Sequence, residues 1–217
     1  MLIIGLTGGV ASGKSFVASR FKKFKIPVFD ADLEVHKLFL VDKEIFLQVK
    51  KIFPSAIVNG KIDRGQLGVE VLQDRQKLQN LEDIIYPKLR DRENLFLKNC
   101  RRNHHKIVVL NIPLLFEKGG YKRCHKTIAI IVSPQIQFHR FRCRSKLEDK
   151  RLIEEKFKNI TQHQINNLQR KNRADFLIHN GLGKAFCYHQ VQLVAKKMFA
   201  ICGQPAYTIK HRSFNQL

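Results

Sequence analysis

The chain has 217 residues, 44% of them hydrophobic, with 40 Lys and Arg against 18 Asp and Glu and a formal net charge of +22. That length suits one α/β domain with a real core and an inserted subdomain, and no apolar run nears the roughly 20 residues of a membrane span. Such a charge attracts polyanions, but the basic residues are dispersed (Lys22, Lys23, Lys25, Arg101, Arg102, Lys196, Lys197) and none forms an aromatic-interleaved stretch, so no specific nucleic-acid binding is expected.

Residues 2–6 are an apolar run that predicts a first strand. Directly after it, Gly8-Gly9-Val10-Ala11-Ser12-Gly13-Lys14-Ser15 is a complete G-x-x-x-x-G-K-[ST] loop, and a helical stretch begins at Ser15. Strand, glycine loop, helix is the context this motif needs. The bent loop aims successive backbone N–H groups at phosphate oxygens, and the helix N-terminus adds partial positive charge. Lys14 can reach β- and γ-phosphates, and Ser15 can ligate Mg²⁺.

Residues 26–29 read as a second strand ending in Asp30-Ala31-Asp32. Ligands lie outside the carboxyl ends of parallel strands, which brings both acids near the phosphate loop. From 33 to 105 the pattern is mostly helical. Leu78, Leu81 and Ile85 recur at i, i+3 and i+7, an apolar face of ordinary core packing. Residues 55–68 carry turn residues, including Asn59-Gly60, and Pro87 predicts a helix boundary or kink.

Residues 107–110 and 127–132 are β-branched apolar runs, read as buried parallel strands. Ser133-Pro134 supplies a cap and a first-turn proline for a helix that carries Arg140, Arg142 and Arg144. Residues 146–171 read as one charged helical stretch, 176–178 as a last strand closed by Asn180-Gly181, and 184–199 as a final helix. The tail after Gly203 has no clear period and is expected to be disordered. The sum is a single three-layer α/β domain, residues 1–217, with a mainly parallel sheet of about five strands.

Phosphoryl transfer needs a cradle, a metal, charge stabilisers and a positioned nucleophile. The loop supplies the cradle. Asp32 is the preferred group for positioning and deprotonating an acceptor hydroxyl; Asp30 competes for that role or holds a metal-bound water. Local chemistry also allows both acids simply to cap the next helix. Arg140 and Arg144, four apart, share a helix face, either a lid over a triphosphate or a solvated basic surface. The magnesium-holding aspartate usual at the end of a third strand is replaced by Asn111, which leaves Asp32 or Glu117 as carboxylates near a metal through water. His104-His105 reads as a polar loop. Five widely spaced cysteines point to reduced thiols in a cytosol, and the apolar N-terminus runs straight into the loop, unlike a signal peptide.

Four segments together resemble the dephospho-CoA kinase family: the loop with its strand, Val28-Phe29-Asp30-Ala31-Asp32, Pro113-Leu114-Leu115-Phe116-Glu117, and Ala174-Asp175-Phe176-Leu177-Ile178-His179-Asn180-Gly181. The resemblance implies a P-loop kinase fold with a helical acceptor-binding insertion at about 33–105 and a helical lid at about 140–170. It implies transfer of the ATP γ-phosphate to the ribose 3′-hydroxyl of dephospho-CoA, with Mg²⁺. A cytoplasmic protein that binds no membrane is expected, its oligomeric state left open with a monomer preferred. By the same resemblance, catalysis falls to Asp32, Lys14, Arg140 and Arg144. ATP falls to Gly8, Gly9, Val10, Ala11, Ser12, Gly13, Lys14, Ser15, Phe16, Asn180 and Gly181, and the acceptor to Asp32, Tyr86, Leu115 and Glu117. Gln164 and Arg170 match polar positions of the following helix. Phe16 stands where the family usually has threonine, and Tyr86 where it commonly has histidine before proline. Tyrosine can donate a hydrogen bond but carries no positive charge near pH 7. The alternatives are another nucleotide or small-molecule kinase on the same core, or a basic ATP-switched nucleic-acid-binding protein, against which the scattered lysines argue.

Overall fold

The computed structural model describes residues 1–72, 74–145 and 149–203. In chain order the elements are β1 (Leu2–Gly8), α1 (Lys14–Lys23), β2 (Val28–Asp30), α2 (Ala31–Val41), α3 (Lys43–Ile52), β3 (Ile57–Val58), β4 (Lys61–Ile62), α4 (Arg64–Leu72), α5 (Arg75–Arg102), β5 (Ile107–Asn111), β6 (Lys126–Ile131), α6 (Pro134–Arg144), α7 (Lys150–Gln162), α8 (Asn167–Arg173), β7 (Phe176–His179) and α9 (Lys184–Ile201). The main sheet runs β2-β5-β1-β6-β7, and every pairing in it is parallel. Strand order reverses around β1, so the loop after β1 opens at the crevice where α/β sheets bind ligands.

Alternation along the strands supplies both faces. Ile4 and Leu6 of β1, with Ile107 and Val109 of β5, pack beneath Val17, Phe21, Val191 and Met198 of α1 and α9. Ile3, Val108 and Leu110 point the other way, against Leu97 and Cys100 of α5. Burial on both faces is why these strands read as continuous apolar runs.

The insertion has its own core: Leu38, Ile45, Val49, Phe53, Leu67, Val71, Leu81 and Ile85. Of the two expectations for Pro87, a helix boundary does not hold, because Pro87 lies inside the 28-residue α5 rather than ending it. The reason is tertiary. The N-terminal half of α5 closes the insertion core, its C-terminal half packs on the sheet, and Leu89 touches both clusters. Packing at both ends outweighs the cost of about 3 kcal/mol for an interior proline. The turn at Asn59-Gly60 joins the antiparallel pair β3–β4, with φ of +49° and +70° at the two loop residues, the left-handed pair a two-residue hairpin requires.

The helical stretch expected over 146–171 contains two helices, α7 and α8. Between α7 and α8, Asn166 accepts from the Gln169 backbone while Gln169 accepts from the Asn166 backbone, a capping box that starts a new helix. Residues 146–148 and the tail beyond Gly203, where disorder was expected, lie outside the described residues.

Candidate active site

The phosphate loop leaves β1 and enters α1 through Gly13 at φ +91°. No side chain caps α1, whereas Asp30, Asp42, Asp74, Ser133, Asp149 and Asn166 cap α2, α3, α5, α6, α7 and α8. The first-turn N–H groups of Lys14, Ser15 and Phe16 are thus left for an anion. Ala11 also takes a left-handed conformation, φ +54°, which turns the loop into a concave nest of amides. Side chains press close around the glycines. A Cβ at Gly8 would stand 2.6 Å from Ser12 Oγ, one at Gly9 would strike Gln137, and one at Gly13 would strike Asn180. Lys14 Nζ lies across the loop, donating to Gly8 O at 2.9 Å.

Distant elements brace this cradle. Gln137 of α6 donates to Val10 O at 3.1 Å, and Gln164 accepts from Val10 N at 3.0 Å. Asn180, after β7, donates to Ser12 O at 2.8 Å, while its own carbonyl accepts from Arg140 Nη2 at 2.8 Å. Arg140 therefore stands beside Gly13; Arg144, one turn on, is exposed. Arg170 of α8 is 3% exposed and comes within reach of Gly9, yet its Nε and Nη2 have no hydrogen-bond acceptor. Glu117 Oε1 lies 3.7 Å from that guanidinium and accepts from Ile165 N at 2.9 Å. Burial pushes the Arg170 guanidinium below its ordinary pKa, Glu117 opposing. A buried guanidinium with unpartnered donors, its Nη1 beside Gly9 of the phosphate loop, suits an anion.

The two acids divide their roles. Asp30 caps α2 by accepting from Leu33 N at 3.2 Å, and its other oxygen accepts from Asn111 Nδ2 at 3.0 Å. Asp32 makes no cap and is exposed toward the crevice. Its carboxyl is held above the ordinary aspartate value by desolvation, with Asp30 adding to the rise and Lys14 and Arg64 opposing it. Lys14 is held below its ordinary value by burial; the nearby Arg170 adds to this, and Asp32, Asp30 and Glu117 oppose it.

On the far side of Asp32 a cleft of about 290 Å³ opens between α2, α5 and the segment after β5, with Val35, Tyr86, Leu89, Pro113 and Leu114 in its wall. Tyr86 Oη donates to Glu82 Oε1 at 3.0 Å, and Lys118 Nζ to Glu82 Oε2 at 2.6 Å. Leu115 and Glu117, which the resemblance assigns to the acceptor, are not in the wall of this cleft. Leu115 is fully buried, its methyls filling the space over Gly5, and Glu117 turns toward Arg170 on the phosphate-loop side.

The family model for dephospho-CoA kinase matches residues 2–184. The chain belongs to the dephospho-CoA kinase family. A relative from Bartonella quintana, named dephospho-CoA kinase, is 40% identical over 191 residues, covering 88% of this chain and 95% of the relative. One of the same name from Nitrobacter winogradskyi is 35% identical over 183 residues, covering 84% and 88%. Among solved structures, a Thermus thermophilus protein matches at 30% identity with a TM-score of 0.74, covering 89% of this chain and 95% of its own. The dephospho-CoA kinase from Campylobacter jejuni matches at 24% identity with a TM-score of 0.62, covering 90% and 96%, a likeness of fold.

Within this dephospho-CoA kinase fold the sequence motifs acquire physical reasons. Asp175 locks β7 to β6, one oxygen accepting from Thr127 N at 2.8 Å and from Thr127 Oγ1 at 2.9 Å. Thr7 Oγ1 ties the end of β1 to Pro113 O at 2.8 Å. Gln137 was missed, though it sits at the second turn of a helix whose Ser133-Pro134 start was legible. A glutamine without a charged neighbour gives no signal of being 7% exposed.

Proposed function

We propose that this member of the dephospho-CoA kinase family transfers the γ-phosphoryl group of ATP to the ribose 3′-hydroxyl of dephospho-CoA, giving coenzyme A and ADP. The observation that carries the reading is the uncapped start of α1, with its left-handed Gly13, set directly beside Asp32 at the mouth of a second cleft. One side offers amides to a triphosphate; the other offers a carboxylate to a hydroxyl.

Gly8 to Phe16 bind the phosphates through backbone N–H groups, and Lys14 moves from its own loop carbonyls to the β- and γ-oxygens. Asn180 and Gly181 border the adenine. Asp32 orients the 3′-hydroxyl; its oxygen forms the new bond to γ-phosphorus as the bridging bond to ADP breaks, and the proton passes to Asp32 and then to water. A loose transition state makes modest basicity sufficient. Arg140 and Arg144, on the lid at about 140–170, meet the charge on the transferring group. The insertion at about 33–105 holds the acceptor.

The donors present suit Mg²⁺, a hard ion that relies on substrate phosphates, water and few protein oxygens. Ser15 Oγ, exposed at the helix start, would hold it, with Asp32 reaching it through water. The ion would neutralise charge on the β- and γ-phosphates. We place the enzyme in the cytoplasm as a monomer acting on small molecules, without nucleic acid or membrane partners.

The test is ADP release by the purified protein with ATP and a panel of hydroxyl acceptors. Release strictly dependent on dephospho-CoA, with a product that co-elutes with coenzyme A, is expected. Turnover with a different acceptor, or turnover stimulated by nucleic acid, would overturn the reading.

A further inference from the structure

At the end of the acceptor cleft formed by α5 and the segment 118–123, three cations meet two buried carboxylates. Arg123 donates Nε to Glu93 Oε1 at 2.6 Å and Nη2 to Glu93 Oε2 at 3.0 Å, with Nη1 on Gly120 O at 3.3 Å. Arg90 touches the same carboxylate through Nη1 alone, at 3.3 Å. Lys118 bonds only one oxygen of Glu82, whose other oxygen accepts from Tyr86. The carboxylates lie underneath: the side chain of Glu93 is 3% exposed and that of Glu82 11%. The cationic side chains stay accessible, 40% exposed for Lys118 and 48% for Arg90.

This arrangement fixes positive charge without consuming it. Arg123 commits all three of its nitrogens, one bond each, to Glu93 and Gly120. Lys118 keeps two of its three N–H donors, and Arg90 keeps its Nε and Nη2, all on groups that line the cleft. The charges acting on Asp32 come instead from Lys14, Asp30 and Arg64, so the cleft has two distinct poles. An acceptor with a reactive hydroxyl at one pole and a doubly anionic group a few ångströms along the same sugar would span them. We propose that Lys118, with Arg90, forms the subsite for the acceptor's diphosphate, and that Glu82 and Tyr86 position Lys118 for it. The proposal rests on the acceptor being dephospho-CoA, whose diphosphate hangs from the 5′ carbon of the phosphorylated ribose. It also supplies the positive charge that Tyr86 itself lacks.

The test is steady-state kinetics of full-length Lys118→Met, Lys118→Arg and the double variant Glu82→Gln with Lys118→Met. The double variant removes the buried carboxylate together with its partner, so loss of binding is separated from loss of folding. Lys118→Met and the double variant should raise KM for dephospho-CoA roughly 10- to 100-fold, the scale of a charged hydrogen bond. KM for ATP and kcat should stay within about twofold, the salt dependence of the acceptor KM should weaken, and Lys118→Arg should restore most of the affinity. An unchanged acceptor KM in the double variant, or an equal rise in KM for ATP, overturns the subsite. A wild-type protein that does not phosphorylate dephospho-CoA overturns the acceptor assignment and the subsite with it.

Discussion

The two ends of the site are built by different means. At the nucleotide end the binding groups are backbone amides, and neutral side chains from remote elements hold them: Gln137 and Gln164 on Val10, Asn180 on Ser12. At the proposed acceptor end the binding groups are side chains of α5 and of the turn after β5, and ion pairs hold them: Lys118 on Glu82, Arg90 on Glu93. Amides and amide side chains carry no net charge, so the phosphate end depends little on pH or salt until Lys14 and Arg170 are counted. Paired charges respond to both. A change at the nucleotide end should therefore strike turnover, and one at the acceptor end should strike recognition.

The largest effect is expected from Lys14→Ala. Its ammonium lies over the loop proposed to hold the triphosphate, and loss of one electrostatic stabiliser costs about 10²–10³ in rate or more. Thermal unfolding should show the protein still folded, since Lys14 donates only to carbonyls of its own loop. Near-normal turnover in folded Lys14→Ala would break the assignment of this end to the triphosphate.

Asp32→Asn should come next, binding both substrates yet transferring at least ~100-fold more slowly. Asp30→Asn should hurt turnover less and stability more, because Asp30 caps α2 and receives Asn111. The pH dependence of kcat/KM sharpens the point. Asp32 must be ionised, and its raised pKa means activity is lost on acidification at a higher pH than an ordinary aspartate would give. Lys14 must be charged, and its lowered pKa means activity is lost on alkalinisation at a lower pH than an ordinary lysine would give. The plateau narrows from both sides, and Asp32→Asn should erase the acid limb. A wild-type profile in Asp32→Asn would move the base elsewhere.

Arg140→Ala and Arg144→Ala should each lower kcat roughly 10- to 100-fold with little change in the acceptor KM, because the charge they meet grows in the transition state. They should differ in one respect. Arg140 also holds the Asn180 carbonyl, so its loss should raise KM for ATP, whereas exposed Arg144 should leave that constant alone. Equal kcat in both variants and the wild type would reduce the pair to a solvated helix face.

The same contrast decides what the sequence could disclose. The nucleotide end was legible because a backbone cradle demands glycines at fixed spacing, and a strand and a helix must flank it. The three central strands were legible because both faces are buried. Gln137 was not, since its partner Val10 lies more than a hundred residues away along the chain, and the orphaned donors of Arg170 have no hydrogen-bond partner to announce them. At the acceptor end little was legible. Pro87 signals a break that packing at Leu89 overrides, and Leu115 looks like its neighbours Pro113 and Leu114 until the fold tucks it over Gly5. Ion pairs such as Arg123 with Glu93 join residues 30 apart, with no periodicity to announce them.

The smallest effect is expected from Tyr86→Phe. Tyr86 stands at the acceptor end, but its hydroxyl faces Glu82 rather than open space. Desolvation, together with the neighbouring Glu82 carboxylate, pushes its pKa far above the ordinary tyrosine value, so it remains a neutral donor across the whole working range. Its removal costs one hydrogen bond to a carboxylate that Lys118 still satisfies. The acceptor KM should rise no more than about fivefold, on the scale of 1 kcal/mol, with the ATP constants unchanged. Tyr86→His offers the sharper comparison. A histidine beside Glu82 would share its carboxylate with Lys118 and add a charge below neutral pH, so acceptor affinity should become pH-dependent between about 6 and 8, where the wild type is flat. If Tyr86→Phe instead loses affinity as severely as Lys118→Met, the tyrosine hydroxyl itself touches the acceptor, and recognition at this end rests on a neutral donor after all.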